Sequence, residues 1–311
     1  MVALFLFVLG GGSTSPSKPN IAVLVSLSQI NGSATDLIGA TITITDDDTS
    51  EVLFTSTWEG AAVKTYIPVF TNFTISTSSV EGYKNFSNSY YADEFIKEII
   101  VYYYGYGIYI EDTNHKLYTS SQWSSQGKTA NSIVCITPQH SFRAALDRMD
   151  STKRAIHSAN TDAIKNYITV YSYTPTPQYI EDWDGQGNTQ KIINFNTAYG
   201  TNTMEYAAPA AASFLFPDGT TKGYLPSVQE MWFIFQNLTT VNTCLSKCGG
   251  HQFVFDHGSD YGCYVCSTIG TGYYYTSAPA PVITAASNWG NVNTAFSDMV
   301  TQYTIRPFGL L

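Results

Sequence analysis

Short apolar stretches alternate with polar turns over residues 20–107. Residues 41–45 read Thr-Ile-Thr-Ile-Thr, so that one face of an extended chain is apolar and the other polar. Similar strand-like runs occur at 21–27, 52–54, 63–69, 72–76 and 96–104. Turn residues recur about every 8–12 positions, which is typical of a β-sandwich. We therefore predict one small sandwich module over residues 20–107, with a boundary at Gly105-Tyr106-Gly107.

Beyond that boundary the pattern predicts mixed helices and strands. Apolar residues at helical spacing predict a helix over 141–157, and residues 158–173 either extend it or form another helix. A further helix is predicted from Ser227, a natural N-cap, to about Asn237, because Glu230 completes a capping box. The next, over 240–247, is predicted to end at the glycines that follow it.

The first residues differ from the rest. Residues 2–9 are apolar and precede a Gly/Ser-rich stretch, which fits either a secretory leader or an attachment peptide with a flexible joint. We treat 1–19 as such an anchor or leader. No apolar run in the chain reaches the ~18–20 residues of a membrane span.

Composition narrows the class of protein. The chain has 311 residues, a formal charge of −9 and only 13% charged residues, but 23 tyrosines. The acidic balance argues against nucleic-acid binding, which needs Lys and Arg on phosphates. A polar, Tyr-rich surface is typical of extracellular recognition proteins. The length fits about two domains.

Candidate metal and redox residues are few. Asp182 and Asp184 open a D-x-D-G-x-G sequence similar to the start of a calcium loop, although no Glu follows at the twelfth position and a polar turn explains it equally well. No other cofactor is predicted. Four cysteines allow a zinc site, disulfides or unrelated thiols, and these are Cys244, Cys248, Cys263 and Cys266.

No catalytic arrangement stands out. The histidines form no metalloprotease pair, no nucleophile elbow occurs, and Cys135 with His140 makes the one thiol–imidazole candidate. We therefore predict a protein that is not an enzyme.

The segment from Gly249 to Leu311 combines aromatic and small residues with four formal charges. Consecutive tyrosines at 273–275 favour exposure, because a strand turns at least one of them outward; a buried Tyr-lined core is the alternative.

Three motifs give a family resemblance. The run Gly223-Tyr-Leu-Pro-Ser-Val-Gln-Glu230 resembles the G-Y-L-P-S-x-x-E block of bacterial and phage C-type-lectin-fold proteins, a fold shared with formylglycine-generating enzymes. Tyr264-Val-Cys-Ser-Thr268 and Tyr303-Thr-Ile-Arg-Pro-Phe308 are similar to their Y-W-S-S-T strand and terminal Y-V-R-P-F. Cys266 departs from the usual Trp. The resemblance covers about 108–311, and the 20–107 module resembles the immunoglobulin-like domain that precedes this fold in gut Bacteroides phage and prophage proteins.

The resemblance implies a mostly β, α+β chain with an immunoglobulin-like sandwich followed by a C-type-lectin-fold domain. Several such proteins are variable proteins of diversity-generating retroelements, in which randomised Asn codons encode any residue except Lys, Glu, Gln, Met and Trp. Residues 257–301 contain no Lys, Glu or Gln, and only Trp289 and Met299 lie outside the permitted set. This implies a variable, ligand-binding surface there, with contacts predicted for Tyr261, Tyr264, Tyr273, Tyr274, Tyr275, Asn288, Trp289, Asn291 and Asn293.

The function implied is receptor binding by a homotrimeric phage virion protein, in the tail or a fibre. Its expected partners are a bacterial surface protein or glycan and, through 1–19, other virion proteins. The alternatives are an exported variable protein on a bacterial cell surface and a structural virion subunit whose tyrosines are buried between copies.

Overall fold

The structure is a computed structural model. It describes residues 19–33, 35–93, 98–125, 127–149, 152–159, 162–172, 181–253, 263–271, 279–286, 292–296 and 302–311. The chain is rich in β-strands and divides into two compact units, residues 1–106 and 107–311. The prediction of a mostly β chain is confirmed. Among the described helices, none is long and apolar enough to cross a membrane.

The first unit consists of two four-stranded sheets. Its strands are β1 (Asn20–Ile30), β2 (Thr41–Asp46), β3 (Val52–Thr57), β4 (Val63–Pro68), β5 (Asn72–Thr77), β6 (Tyr83–Asn85), β7 (Asn88–Tyr91) and β8 (Glu98–Gly105). One sheet has the order β4-β1-β8-β6, with β1 parallel to β8, and the other has the order β3-β2-β5-β7. Alternate residues of both sheets form one apolar core, as the two-residue period predicts.

The second unit also contains two sheets. The first has the order β10-β9-β11-β12-β17 and is formed by β9 (Gly107–Asp112), β10 (Leu117–Tyr118), β11 (Ala130–Ile136), β12 (Ser141–Ala145) and β17 (Phe308–Leu310). The second has the order β13-β14-β15-β16 and is formed by β13 (Val170–Ser172), β14 (Cys263–Thr271), β15 (Pro279–Ala286) and β16 (Val292–Phe296).

The described residues of this unit also form four α-helices and one 3₁₀ helix. They are α1 (Gly185–Ala198), α2 (Ala207–Ser213), α3 (Val228–Gln236), α4 (Leu238–Cys248) and the 3₁₀ helix Asp162–Asn166. The predicted start of α3 and the predicted end of α4 are confirmed. Ser227 caps α3, and α4 ends at Gly249, whose φ of 77° is readily adopted by glycine.

The helix predicted over 141–157 is wrong. Residues 141–145 form β12, which lies between β11 and β17, and the described part of 158–173 contains only the short 3₁₀ helix and β13. Phe142, Ala144 and Ala145 are all fully buried, as are both faces of β11. When both faces of a strand are buried, apolar and polar residues do not alternate along it. The pattern alone then does not distinguish the strand from a buried helix.

A buried ion pair fastens the five-stranded sheet. Arg143 donates from Nε and Nη2 to the two carboxylate oxygens of Glu111, at 2.7 and 2.6 Å. Arg143 also donates from Nη1 to the carbonyl of Leu310, and Ser132 Oγ donates to Glu111 at 2.6 Å. The pair therefore joins β9, β11 and β12 to the last strand of the unit.

Candidate functional site

Most of the predicted contact residues lie outside the described residues. These are Tyr261, Tyr273, Tyr274, Tyr275, Asn288, Trp289 and Asn291. The strands around them are described. β14 and β15 are antiparallel, with Thr271 opposite Pro279, and β15 and β16 are antiparallel, with Ala286 opposite Val292. Asn293 lies in β16, where it pairs with Ala285.

The described strand ends lie on two sides of the sheet. Thr271 and Pro279 lie opposite each other at one end of the β14–β15 pair. Ala286 and Val292 lie opposite each other at the other end of β15. Along the sequence, tyrosines 273–275 fall between β14 and β15, and Asn288 and Trp289 fall between β15 and β16, so the predicted contacts form two groups.

Tyr264 does not lie on the surface, contrary to its prediction as a ligand contact. It lies in β14 and is only 3% exposed, with its ring centroid 5.3 Å from that of Phe253 and 6.1 Å from that of Phe235. The side chain belongs to the aromatic core beneath the sheet. It supports the strand and is not available as a surface contact.

Asp184 and Asp182, the two calcium candidates, both accept hydrogen bonds from other groups of the protein. Asp184 is the N-cap of helix α1, and its Oδ1 accepts from Gly187 N at 2.8 Å. Asp182 is 4% exposed, and its Oδ2 accepts from Asn188 Nδ2 at 2.8 Å and from Thr268 Oγ1 at 2.6 Å. Within the described ranges, no group of three or more His, Cys, Asp or Glu residues is placed to hold a metal ion.

Strand β14 is fixed to the start of helix α3 by buried hydrogen bonds. Ser267 donates its backbone N–H to the carbonyl of Pro226 at 2.8 Å. The hydroxyl of Thr268 accepts from Val228 N at 2.9 Å while it donates to Asp182. Ser267 and Thr268 are fully buried. Strand β14 is therefore held by its backbone and by the hydroxyls of Ser267 and Thr268.

The carboxylate of Glu230 connects residues of the G-Y-L-P-S-x-x-E block to one another and to His140. This carboxylate is fully buried and accepts from Ser227 N at 2.7 Å and from the Tyr224 hydroxyl at 2.6 Å, while His140 Nε2 lies 3.0 Å from Oε1. Burial, and then the negative charge of Glu230, hold the pKa of Tyr224 well above its usual value. A Cβ at Gly185 would overlap this carboxylate, so glycine is required where α1 begins.

Among the described cysteines, Cys135, Cys244 and Cys248 are free thiols, which agrees with the alternative of unrelated thiols for Cys244 and Cys248. The side chain of Cys263 lies outside the described residues. Burial raises the pKa of Cys135 well above its usual value and that of Cys244 to about 11. Since His140 is paired with Glu230 and the Cys135 thiol stays protonated, the two do not form an activated nucleophile.

Arg306 fixes the chain after β16. Its guanidinium is fully buried and donates to three carbonyls, those of Ala145 and His251 at 2.8 Å and that of Leu146 at 2.6 Å. It also stacks on Phe253, with Cζ 4.3 Å from the ring centroid. Burial lowers the pKa of Arg306 to about 10. The sequence predicts the capping contact of Glu230 with Ser227, but not the contacts of Glu230 with Tyr224 and His140 or the buried role of Arg306.

Comparisons with known proteins identify no family. No protein-family model and no curated protein matches the chain. Among solved structures, a TIE protein of Bacillus anthracis is 13% identical over 37% of this chain and 25% of its own length, with a TM-score of 0.24. The shaft pilin SpaA of Lactobacillus rhamnosus GG is 12% identical over 32% of this chain and 58% of its own length, with a TM-score of 0.21.

The pilus backbone protein of Streptococcus pneumoniae is 11% identical over 68% of this chain and 50% of its own length, with a TM-score of 0.22. This chain thus spans between a quarter and about three fifths of the length of these three proteins. We draw no functional conclusion from similarity at this level.

Proposed function

We propose that the chain is a receptor-binding protein with an immunoglobulin-like first unit and a C-type-lectin-fold second unit. Its binding surface is Tyr-rich, diversifiable and formed from residues 257–301. In this proposal it is a phage virion protein, anchored through 1–19, that binds a protein or glycan on a bacterial surface. Trimerisation would raise the effective affinity of weak single contacts.

One observation carries the proposal. The strand that leads into the predicted contact residues is held by groups that lie outside their connections: Ser267 N bonds to Pro226, and Thr268 is joined to Val228 and Asp182. A surface that tolerates many sequences needs such a support, because a precise binding constellation is best built on rigid elements. The buried Glu230 and Arg306 hold the neighbouring segments in the same way.

The chemistry of the predicted surface supports recognition. Tyrosine supplies large contact area at low cost in side-chain entropy, and Ser, Gly and Asn adapt their hydrogen bonds to different partners. The residues 257–301 contain all four types and no Lys, Glu or Gln. A buried catalytic centre would instead need a titratable group placed to react with substrate, and the buried Glu230 has three protein partners.

The test is binding of the labelled full chain to a panel of gut Bacteroides strains. The two groups of predicted contacts are replaced separately by alanine, first Tyr273 to Tyr275 and then Asn288, Trp289 and Asn291. Tyr91→Ala is the matched control, because Tyr91 is 49% exposed in the first unit. We expect at least one group to weaken binding about tenfold or more, as for an interface with aromatic anchors.

The control should bind as the unchanged chain does. Equal binding by all variants, or binding to no strain in the panel, would contradict the proposal. If tyrosines 273–275 react with a solvent label in isolated protein but not in particles, they are buried between subunits, which favours a structural virion subunit.

A further inference from the structure

The sheet β4-β1-β8-β6 of the first unit has an apolar outer face. Leu24 of β1 is 41% exposed, Tyr66 of β4 is 58% exposed and Ile100 of β8 is 42% exposed. All three alternate with buried core residues along their strands, so their side chains point away from the core. We call Leu24, Tyr66 and Ile100, with Lys64 and Glu98, the outer face.

The other sheet of the same unit shows what a solvated face looks like. The central strands β2 and β5 present hydroxyls on the outward side, from Thr43, Thr45, Thr74 and Ser76. An antiparallel sheet with one face in water usually has such an alternation of apolar and polar residues. The outer face departs from this pattern at three positions, where large apolar side chains are exposed, although Ser26 and Ser28 of β1 also point outward.

Opposite charges flank the centre of the outer face. Leu24 pairs with Lys64 of β4 on one side and with Glu98 of β8 on the other. Residues directly opposite each other on paired strands project to the same face. Two strand spacings separate Lys64 from Glu98, about 10 Å, which is too far for a direct ion pair. Neither side chain forms an ion pair with another described residue.

We propose that the outer face binds the same face of a second copy of the chain, around a two-fold axis parallel to β1. Such a rotation exchanges the two sides of β1 and keeps the position along it. Leu24 would then face Leu24, and Lys64 of each copy would face Glu98 of the other. Two apolar faces stacked about 10 Å apart would interleave their side chains as in a β-sandwich.

The charge pattern selects a second copy as the occupant. The row Lys64-Leu24-Glu98 is complementary to itself when rotated, as an interface between two identical chains around a two-fold axis requires. The axis is also defined. A two-fold axis across the strands at the same row would place Lys64 on Lys64, and like charges in an interface are repulsive.

The experiment uses charge reversal in the full chain. Lys64→Glu gives an outer face with two negative charges, and Glu98→Lys gives one with two positive charges. Each variant alone should dimerise through this face at least about 100-fold more weakly than the unchanged chain, because both charge pairs become repulsive. An equimolar mixture should regain association, since each negative residue then faces a positive one. The double variant should associate as the unchanged chain does.

Sedimentation velocity over a range of concentrations measures association, and native mass spectrometry identifies the mixed pair by its mass. Glu51→Lys, in the turn between β2 and β3, is the matched control and should associate normally. If one reversed variant does not fold, the other still tests whether charge reversal weakens association. Leu24→Asp tests the same outer face at its apolar centre, without changing Lys64 or Glu98.

The equimolar mixture of Lys64→Glu and Glu98→Lys tests whether the two charges act between copies of the chain. An effect of reversal within one chain cannot be corrected by adding the other variant, so failure of the mixture to regain association overturns the proposal. Equal association of the unchanged chain and both reversed variants also overturns it. The result is independent of the proposed receptor binding, because the readout is the difference between variants and no ligand is added.

Discussion

The Oδ2 atom of Asp182 accepts a hydrogen bond of 2.6 Å from the hydroxyl of Thr268, a residue 86 positions later in the chain. The same hydroxyl accepts from Val228 N, so one threonine joins strand β14 to the first residue of helix α3 and to the segment before α1. These bonds lie outside residues 272–278 and 287–291. The support of the sheet is therefore separable from the surface that we propose to vary.

Removal of the Asp182 carboxylate should destabilise the second unit. Asp182→Ala leaves Thr268 and Asn188 with unpaired buried donors, and each such group costs about 1–3 kcal/mol. Asp184→Ala removes only a half-exposed N-cap and should cost about 1 kcal/mol. Denaturant unfolding measures both. A smaller loss for Asp182→Ala than for Asp184→Ala would contradict the role assigned to Asp182.

Tyr224 should make stability fall at high pH. Burial beside Glu230 raises the pKa of Tyr224 above its usual 10, so the folded state favours the neutral phenol. This contribution is fully present below pH 10 and is lost as the pH rises through the raised pKa. The difference in unfolding free energy between the unchanged chain and Tyr224→Phe should be constant up to about pH 10 and then shrink. A difference that stays constant into stronger alkali would contradict this.

Asp218 should contribute to stability on the acid side. Burial alone would raise the pKa of this carboxyl, but hydrogen bonds from Thr221, Thr220 and Asn131 outweigh it and lower the pKa. Stability from a depressed carboxyl pKa is present above its unfolded value of about 3.9 and is lost as the pH falls below it. Asp218→Asn should therefore give a shallower loss of stability in acid. Unfolding at a series of pH values measures it, and identical slopes would count against it.

The thiols should differ in reactivity. Burial raises the pKa of Cys135 well above its usual value and that of Cys244 to about 11, and both side chains are fully buried. Cys248 is only partly buried. In a Cys263→Ser background, a thiol reagent should label Cys248 first in the native protein, with Cys135 and Cys244 labelled on unfolding. Rapid native labelling of Cys135 would contradict the burial, and peptide mass spectrometry would show it.

Local signals predicted some elements well. The capping box of Ser227 and Glu230 and the glycine after α4 are encoded within a few residues, and the structure contains both. The alternating strands of the first unit are visible for the same reason. Each such strand buries one face of a sandwich, so its sequence alternates.

Other elements depend on tertiary contacts that no local pattern reveals. Helix α1 buries Asn188, Thr189 and Asn196 together with a few apolar residues, so it lacks an apolar stripe and was not predicted. β12 was mistaken for a helix because both of its faces are buried. The hydrogen bond between Asp182 and Thr268 joins residues 86 positions apart, so the local calcium-loop pattern of Asp182 and Asp184 could not reveal it.

The most direct test of the account is deep sequencing of the 3′ end of this gene across a propagated population. We predict substitutions concentrated at Asn-type codons within residues 257–301, with Gly223 to Ser227, Glu230 and Arg306 unchanged because they hold the buried support. The codons of Ser267 and Thr268 should also be spared. A uniform population, or substitutions spread evenly through the support, would contradict a diversified binding surface.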